Sequence, residues 1–211
     1  MADYTFFFNP MSRAQIARWA LHEAGADYDP VFVPWDNKPP ALLAANPMGK
    51  LPTIIHHAPG GDRVVSEGAA VCHYLAETSA PQLLPREEDK ADYYRWMFFA
   101  AGPLEAAVTS KAFGWEPTEQ QQITAGFGSF DRTIDTLDGW FQTHDHVCGE
   151  RFTMADVYVG SQVDWGLMFG TIPARDSLNS YAERLRARDA YNAAKAIDMQ
   201  LYEEMKKQAE G

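Results

Sequence analysis

The rhythm of apolar and polar residues changes several times along the chain, and each change marks a predicted element. Tyr4-Thr5-Phe6-Phe7-Phe8 is a short aromatic run stopped by Asn9-Pro10, which predicts a buried β-strand. From Ser12 the apolar positions fall at Ile16, Ala17, Ala20, Leu21 and Ala24, one face of a helix, and Gly25 ends it. Tyr28 to Val33 predicts a second strand, and Leu42 to Ala45 a short helical piece. Leu51 to His56 and Arg63 to Val65 read as two further strands joined by the turn Pro59-Gly60-Gly61-Asp62. Glu67 to Ala76 predicts a helix that buries Ala70, Val71, Tyr74 and Leu75. The order is β-α-β-α-β-β-α.

After the proline-punctuated stretch from Thr78 to Arg86 the β-like runs stop. Glu87 to Phe113 predicts a long helix bent near Gly102-Pro103, and Thr118 to Thr143 a second helix. Thr153 to Met168, Ser177 to Arg188 and Ala190 to Gln208 complete an all-α half. The chain thus divides into an α/β domain over 1–78, a linker over 79–87 and an all-helical domain over 88–211.

Composition narrows the partners. A formal charge of −11 and the lack of any Lys/Arg run argue against nucleic acid, so a small anion must be held locally by helix N-termini and placed cations. No apolar run approaches the ~18 residues of a membrane span, and the opening Met1-Ala2-Asp3-Tyr4 is not signal-like, so a cytoplasmic location is expected. Cys72 and Cys148 form no CxxC, and the histidines lack further ligands, so no metal site is expected.

Three segments carry candidate chemistry. Asn9-Pro10-Met11-Ser12-Arg13-Ala14 sets small polar side chains where a strand hands over to a helix, a place that favours an anion. Ser12 capping its helix and Asn9 forming an Asx turn account for the same residues without any ligand. Asn46-Pro47-Met48-Gly49-Lys50-Leu51-Pro52-Thr53 suggests a cis Leu51-Pro52 bond, which would turn the Leu51 backbone out toward an extended peptide, with Lys50 as a point charge for its carboxylate. Val64-Val65-Ser66-Glu67-Gly68-Ala69 opens a helix, where Glu67 in the first turn either meets a ligand ammonium or only complements the helix dipole.

Together these segments resemble the cytosolic glutathione S-transferase family, bacterial-type with an S-R-A catalytic turn. The family pattern is a polar catalytic turn, then N-P-x-G-K-V/L-P, then E-S at a helix start. The resemblance implies a thioredoxin-like N-terminal domain followed by an all-α C-terminal domain. It implies glutathione as co-substrate, with Ser12 or Asn9 at the thiol and Arg13 beside them. Leu51 and Pro52 would face the cysteinyl unit, Lys50 the glycyl carboxylate, and Glu67 and Gly68 the γ-glutamyl end. Gly68 stands where the family usually has serine, so the backbone N–H survives and a hydroxyl donor is lost.

Gly149-Glu150-Arg151-Phe152-Thr153-Met154-Ala155-Asp156-Val157 is similar to the family's F-[ST]-x-A-D helix start, physically a capping-box variant. The aromatic residues of the helical half supply an apolar pocket for a hydrophobic co-substrate. Tyr93, Trp96, Met97, Phe113, Trp115, Trp165 and Phe169 are its candidate lining, with plain core packing the bland alternative for each. The resemblance implies a transferase, of the kind used in detoxification, that activates the glutathione thiolate for attack on an electrophile, and it implies a homodimer. The alternatives are a glutathione-dependent disulfide or peroxide reductase, with Asn9 as thiol partner, and a non-catalytic interaction module.

Overall fold

A computed structural model describes residues 2–210. Four strands form one mixed sheet in the order β2-β1-β3-β4: β1 (Tyr4–Phe8), β2 (Tyr28–Phe32), β3 (Thr53–Ala58) and β4 (Gly61–Ser66). β1 runs parallel to β2 through the crossover helix α1 (Ala14–Ala24), and antiparallel to β3, which pairs antiparallel with β4. The predicted order therefore holds, with α2 (Pro40–Ala45) before β3 and α3 (Gly68–Ser79) after β4. Several boundaries move; β3, for example, begins at Thr53, not Leu51, and Arg63 to Val65 lengthens at both ends. The Leu51-Pro52 bond is cis.

The aromatic run of β1 is buried because the central strand is covered on both faces. Alternation sends Phe7 to one side, where it packs with Val33 and Leu42. Phe6 and Phe8 point to the other, where the Arg18 guanidinium of α1 lies 5.1 and 4.5 Å from their ring centres. Register sets which residues share an end of the sheet. Phe7 stands opposite Thr53, Thr53 opposite Ser66, and Phe8 beside Phe32. The end of β1, the start of β3 and the ends of β2 and β4 thus lie together.

The chain resolves into two compact units, Met1–Leu84 with Ala187–Gly211, and Pro85–Arg186. The change at Leu84–Pro85 falls within the 79–87 linker, while α10 (Asp189–Glu210), expected with the all-helical domain over 88–211, groups with the first unit by its contacts. Its partner is α1. Arg18 pairs with Asp198 at 2.9 Å, Arg188 with Glu23 at 2.6 Å, Lys195 with Gln15 at 2.7 Å, and Tyr191 meets Trp19 edge-on at 5.1 Å. An amphipathic rhythm says that a helix buries a face, but not against what.

The second unit is helical: α4 (Lys90–Phe99), α5 (Glu105–Phe113), α6 (Glu119–Gln122), α7 (Phe130–Phe141), α8 (Met154–Phe169) and α9 (Asp176–Arg186). The bend predicted at Gly102-Pro103 is a π-helical segment, Ala100–Leu104, which joins α4 to α5 and accommodates Pro103 without an N–H. The single helix expected from Thr118 to Thr143 is instead two. Gly128 takes φ +68°, and Ser129 then caps α7 by accepting the Arg132 N–H. α8 is buried on nearly all sides. A Cβ at Gly160 would overlap the Leu185 side chain of α9, so a larger residue here requires that side chain to move.

Asp156 anchors the start of α8. It accepts the Thr153 N–H at 2.8 Å, the Thr153 hydroxyl at 3.2 Å, the Val147 N–H at 2.7 Å and the Tyr181 hydroxyl at 3.0 Å. Burial pushes its carboxyl upward, and these donors oppose that shift. Among the described residues, no helix is long and apolar enough to cross a membrane.

Candidate functional site

Asn9 and Ser12 have different fates at the end of β1. Asn9 is fully buried; its amide donates to the Val33 carbonyl at 3.0 Å and its Oδ1 accepts the Met11 N–H at 2.9 Å. Both ends of the side chain are used to build the turn, which is the Asx role. Ser12 is half-buried. Its hydroxyl donates to the Asn9 carbonyl at 2.8 Å and accepts the Ala14 N–H at 3.1 Å, at the start of α1. Arg13, the next residue, is exposed.

The second segment is a clamped loop. Buried Asn46 donates to the Lys50 carbonyl at 3.2 Å and to the Thr53 hydroxyl at 3.1 Å, and that hydroxyl also donates to the Lys50 carbonyl at 2.9 Å. Lys50 is left exposed, Leu51 half-buried and Pro52 buried. Gly49 takes φ +60°, and a Cβ there would meet Lys38 Cδ at 2.9 Å and Nζ at 3.1 Å. Lys38 thus brings a second cation to the loop that carries Lys50. Sequence reading missed it, because one lysine between Asn37 and Pro39 carries no pattern of its own.

Glu67 lies just before α3, which begins at Gly68, so it is not in the first helical turn as expected. Its carbonyl accepts the Val71 N–H at 2.9 Å, and its backbone takes φ +69°, ψ +120°. A non-glycine residue there costs about 1–3 kcal/mol, a kind of strain that gathers at ligand clamps. The Glu67 side chain makes no capping bond, while a helix start leaves its first N–H groups without intrahelical partners. The side chain is exposed, and Gly68 beside it is half-buried.

Within the second unit the aromatic candidates separate. Tyr93, Trp96 and Met97 were expected to line a pocket, but they are core residues, 0%, 1% and 4% exposed. They fall at i, i+3 and i+4 on α4, and Ala100 and Leu104 extend the buried stripe. Trp96 packs against Phe99 and Trp140 at 5.0 and 5.3 Å. Phe113 and Trp115 are exposed and contact each other at 4.8 Å; Phe169 is exposed beside half-buried Trp165 at 6.2 Å. Trp115 also lines a hollow of about 500 Å³ with Pro117, Gln121 and Phe127.

Both cysteines are buried and unbridged; burial pushes the Cys148 thiol up to about 12 and the Cys72 thiol higher still, so neither is a nucleophile at neutral pH. Among the described residues, no three His, Cys, Asp or Glu side chains gather where a metal would sit.

Residues 10–78 match the family profile described as glutathione S-transferase, N-terminal domain, and residues 98–189 match the corresponding C-terminal domain. Glutathione S-transferase 1 of Schizosaccharomyces pombe is 30% identical over 160 residues, 69% of this chain. The match spans 66% of that relative, just under two thirds of its length. A theta class glutathione S-transferase from Xanthomonas axonopodis pv. citri, solved with glutathione bound, is 26% identical, with a TM-score of 0.73 over 92% of this chain and 97% of that one. The glutathione transferase URE2P5 from Phanerochaete chrysosporium shares the fold at a TM-score of 0.78 and 20% identity, over 98% and 99% of the two chains. With a thioredoxin-like first domain, a helical second one and both profiles matched in order, this chain belongs to the glutathione S-transferase family.

Proposed function

We propose that the protein is a glutathione transferase that holds glutathione across the end of its sheet and presents the thiolate to a hydrophobic electrophile. The register carries this reading. Because Phe7, Thr53 and Ser66 stand in line across β1, β3 and β4, the Ser12 turn, the Lys50-Leu51-Pro52 loop and Glu67-Gly68 emerge side by side. Strands lie about 4.8 Å apart, so three adjacent strand ends span about 10 Å, the length of an extended tripeptide. In this reading Leu51 pairs with the cysteinyl backbone, Lys50 and Lys38 meet the glycyl carboxylate, and Glu67 and the Gly68 N–H meet the γ-glutamyl end. Arg13 adds positive charge beside the thiol turn.

Ser12 is the thiol's donor. Its hydroxyl rotates its proton from the Asn9 carbonyl to the sulfur while keeping the Ala14 N–H, which polarises it. A charge-assisted hydrogen bond contributes about 1.5–3 kcal/mol, and the bond given up costs about 1. The N-terminus of α1 adds about 0.3–1 kcal/mol. At 1.36 kcal/mol per unit, the thiol pKa falls by about one to two units from about 8.5. The thiolate then attacks the electrophilic carbon, forming the C–S bond as the leaving group departs with its electron pair. The commitment of Asn9 to Val33 and Met11 supports Ser12 over Asn9, and with it conjugation over the reductase alternative.

Phe113, Trp115, Trp165 and Phe169 remain the candidates for the apolar co-substrate. A homodimer and a cytoplasmic location belong to the same reading, the latter in keeping with two free thiols. Retention on immobilised glutathione, with elution by free glutathione, tests the binding half. Conjugation of a model aryl halide, set against reduction of a mixed disulfide, tests the chemistry; disulfide reduction without conjugation would refute it.

A further inference from the structure

The Pro10-Met11 peptide, one removed from Ser12, is held at both ends. The Met11 N–H donates to Asn9 Oδ1 at 2.9 Å, and the Pro10 carbonyl on the same peptide plane accepts Gln15 Nε2 from α1. Gln15 is held in turn, because its Oε1 accepts Lys195 Nζ of α10 at 2.7 Å. A primary amide can flip its ends, but lysine only donates. Lys195 therefore forces the oxygen toward itself and the NH2 toward Pro10. Lys195 is half-buried, with its ammonium 5.5 Å from the Tyr191 ring centre, and its charge also reaches Asp198 one turn on.

Resting on the function proposed above, we propose that Lys195 and Gln15 are a positioning pair for the thiol turn. α10, distant from Ser12 in sequence, fixes the Pro10-Met11 peptide plane and so aims the Ser12 hydroxyl. Neither residue touches the reacting atoms. Their effect is on where the donor stands and hence on the thiolate.

The test uses the full chain with Lys195→Met, which keeps the stem and drops the donor, and Lys195→Arg, which restores one. Three readouts are followed: amide exchange of Met11 and Ser12 in the ligand-free protein, the ultraviolet pH titration of bound glutathione thiolate, and kcat with KM for conjugation. Lys195→Met is expected to speed exchange at Met11 and Ser12 about fivefold, the worth of one hydrogen bond, while exchange at Ile54 in β3 stays unchanged. The bound thiol titrates at higher pH, and kcat falls about fivefold with KM within twofold. Lys195→Arg recovers the exchange, the titration and kcat. Unchanged exchange and titration overturn the proposal, as does faster exchange with an unmoved titration. A wild-type protein with no bound thiolate signal would instead refute the glutathione reading itself, and the exchange arm would still decide whether α10 pins the turn.

Discussion

Asn9 and Val33 are joined by a buried hydrogen bond of 3.0 Å from side-chain amide to backbone carbonyl, tying the end of β1 to the chain just past β2. Asn9→Ala leaves that carbonyl and the Met11 N–H without their partners. At about 1–3 kcal/mol for each unsatisfied group, unfolding free energy should fall by about 2–6 kcal/mol in urea titration. Ser12→Ala should lower it by less than about 1 kcal/mol, yet slow conjugation by about five- to thirtyfold at neutral pH. A stable Asn9→Ala enzyme that has lost its chemistry would return the thiol role to Asn9.

Asp156 gathers four donors from three segments of the second unit. Asp156→Ala strands all four in the interior, and a loss above about 4 kcal/mol is expected. Asp156→Asn keeps the shape but turns an NH2 toward donors, so its loss should be smaller. Denaturant midpoints monitored by tryptophan fluorescence give the order; equal stability of wild type and Asp156→Ala would contradict it.

Asp89 and Arg151 form a 2.8 Å ion pair in the second unit, and the hydrogen bond from Arg151 holds the Asp89 carboxyl below its usual range. The folded state therefore binds this proton less readily than the unfolded chain. The resulting stability is present above the unfolded value of about 3.9 and lost as pH falls through the lower folded value. Unfolding free energies of wild type and Asp89→Asn, compared between about pH 6 and pH 2, should converge on acidification. A gap that stays constant over that range would show that the pair carries no such linkage.

Much of the fold was legible in the residues. The period-two and helical rhythms located the βα half, and Pro52 marked the candidate site because proline permits the cis bond found there, whereas the positive φ of Glu67 had no signal in its residue type. Tertiary choice was not legible. The seven-residue run from Tyr93 to Phe99 is so aromatic that no face stands out, and only the packing of α4 selects Tyr93, Trp96 and Met97 for the interior while leaving Phe98 72% exposed. The interruption at Gly128 was visible as a glycine but not as a left-handed turn. The Asx turn of Asn9 was legible, but the bond from its amide to Val33 and the approach of Lys38 to Gly49 join separate segments, which no local pattern encodes.

The placement of α10 has a consequence for how the protein is made. The first unit is interrupted: a ribosome must produce the whole of Pro85–Arg186 before the helix that covers α1 exists. Until then Arg18 has its Tyr28 hydroxyl and aromatic neighbours but not its Asp198 counter-ion, so burying its charge costs more in the nascent chain than in the finished one. The helical unit is encoded without interruption, whereas the first unit is completed only when the chain returns to it with α10.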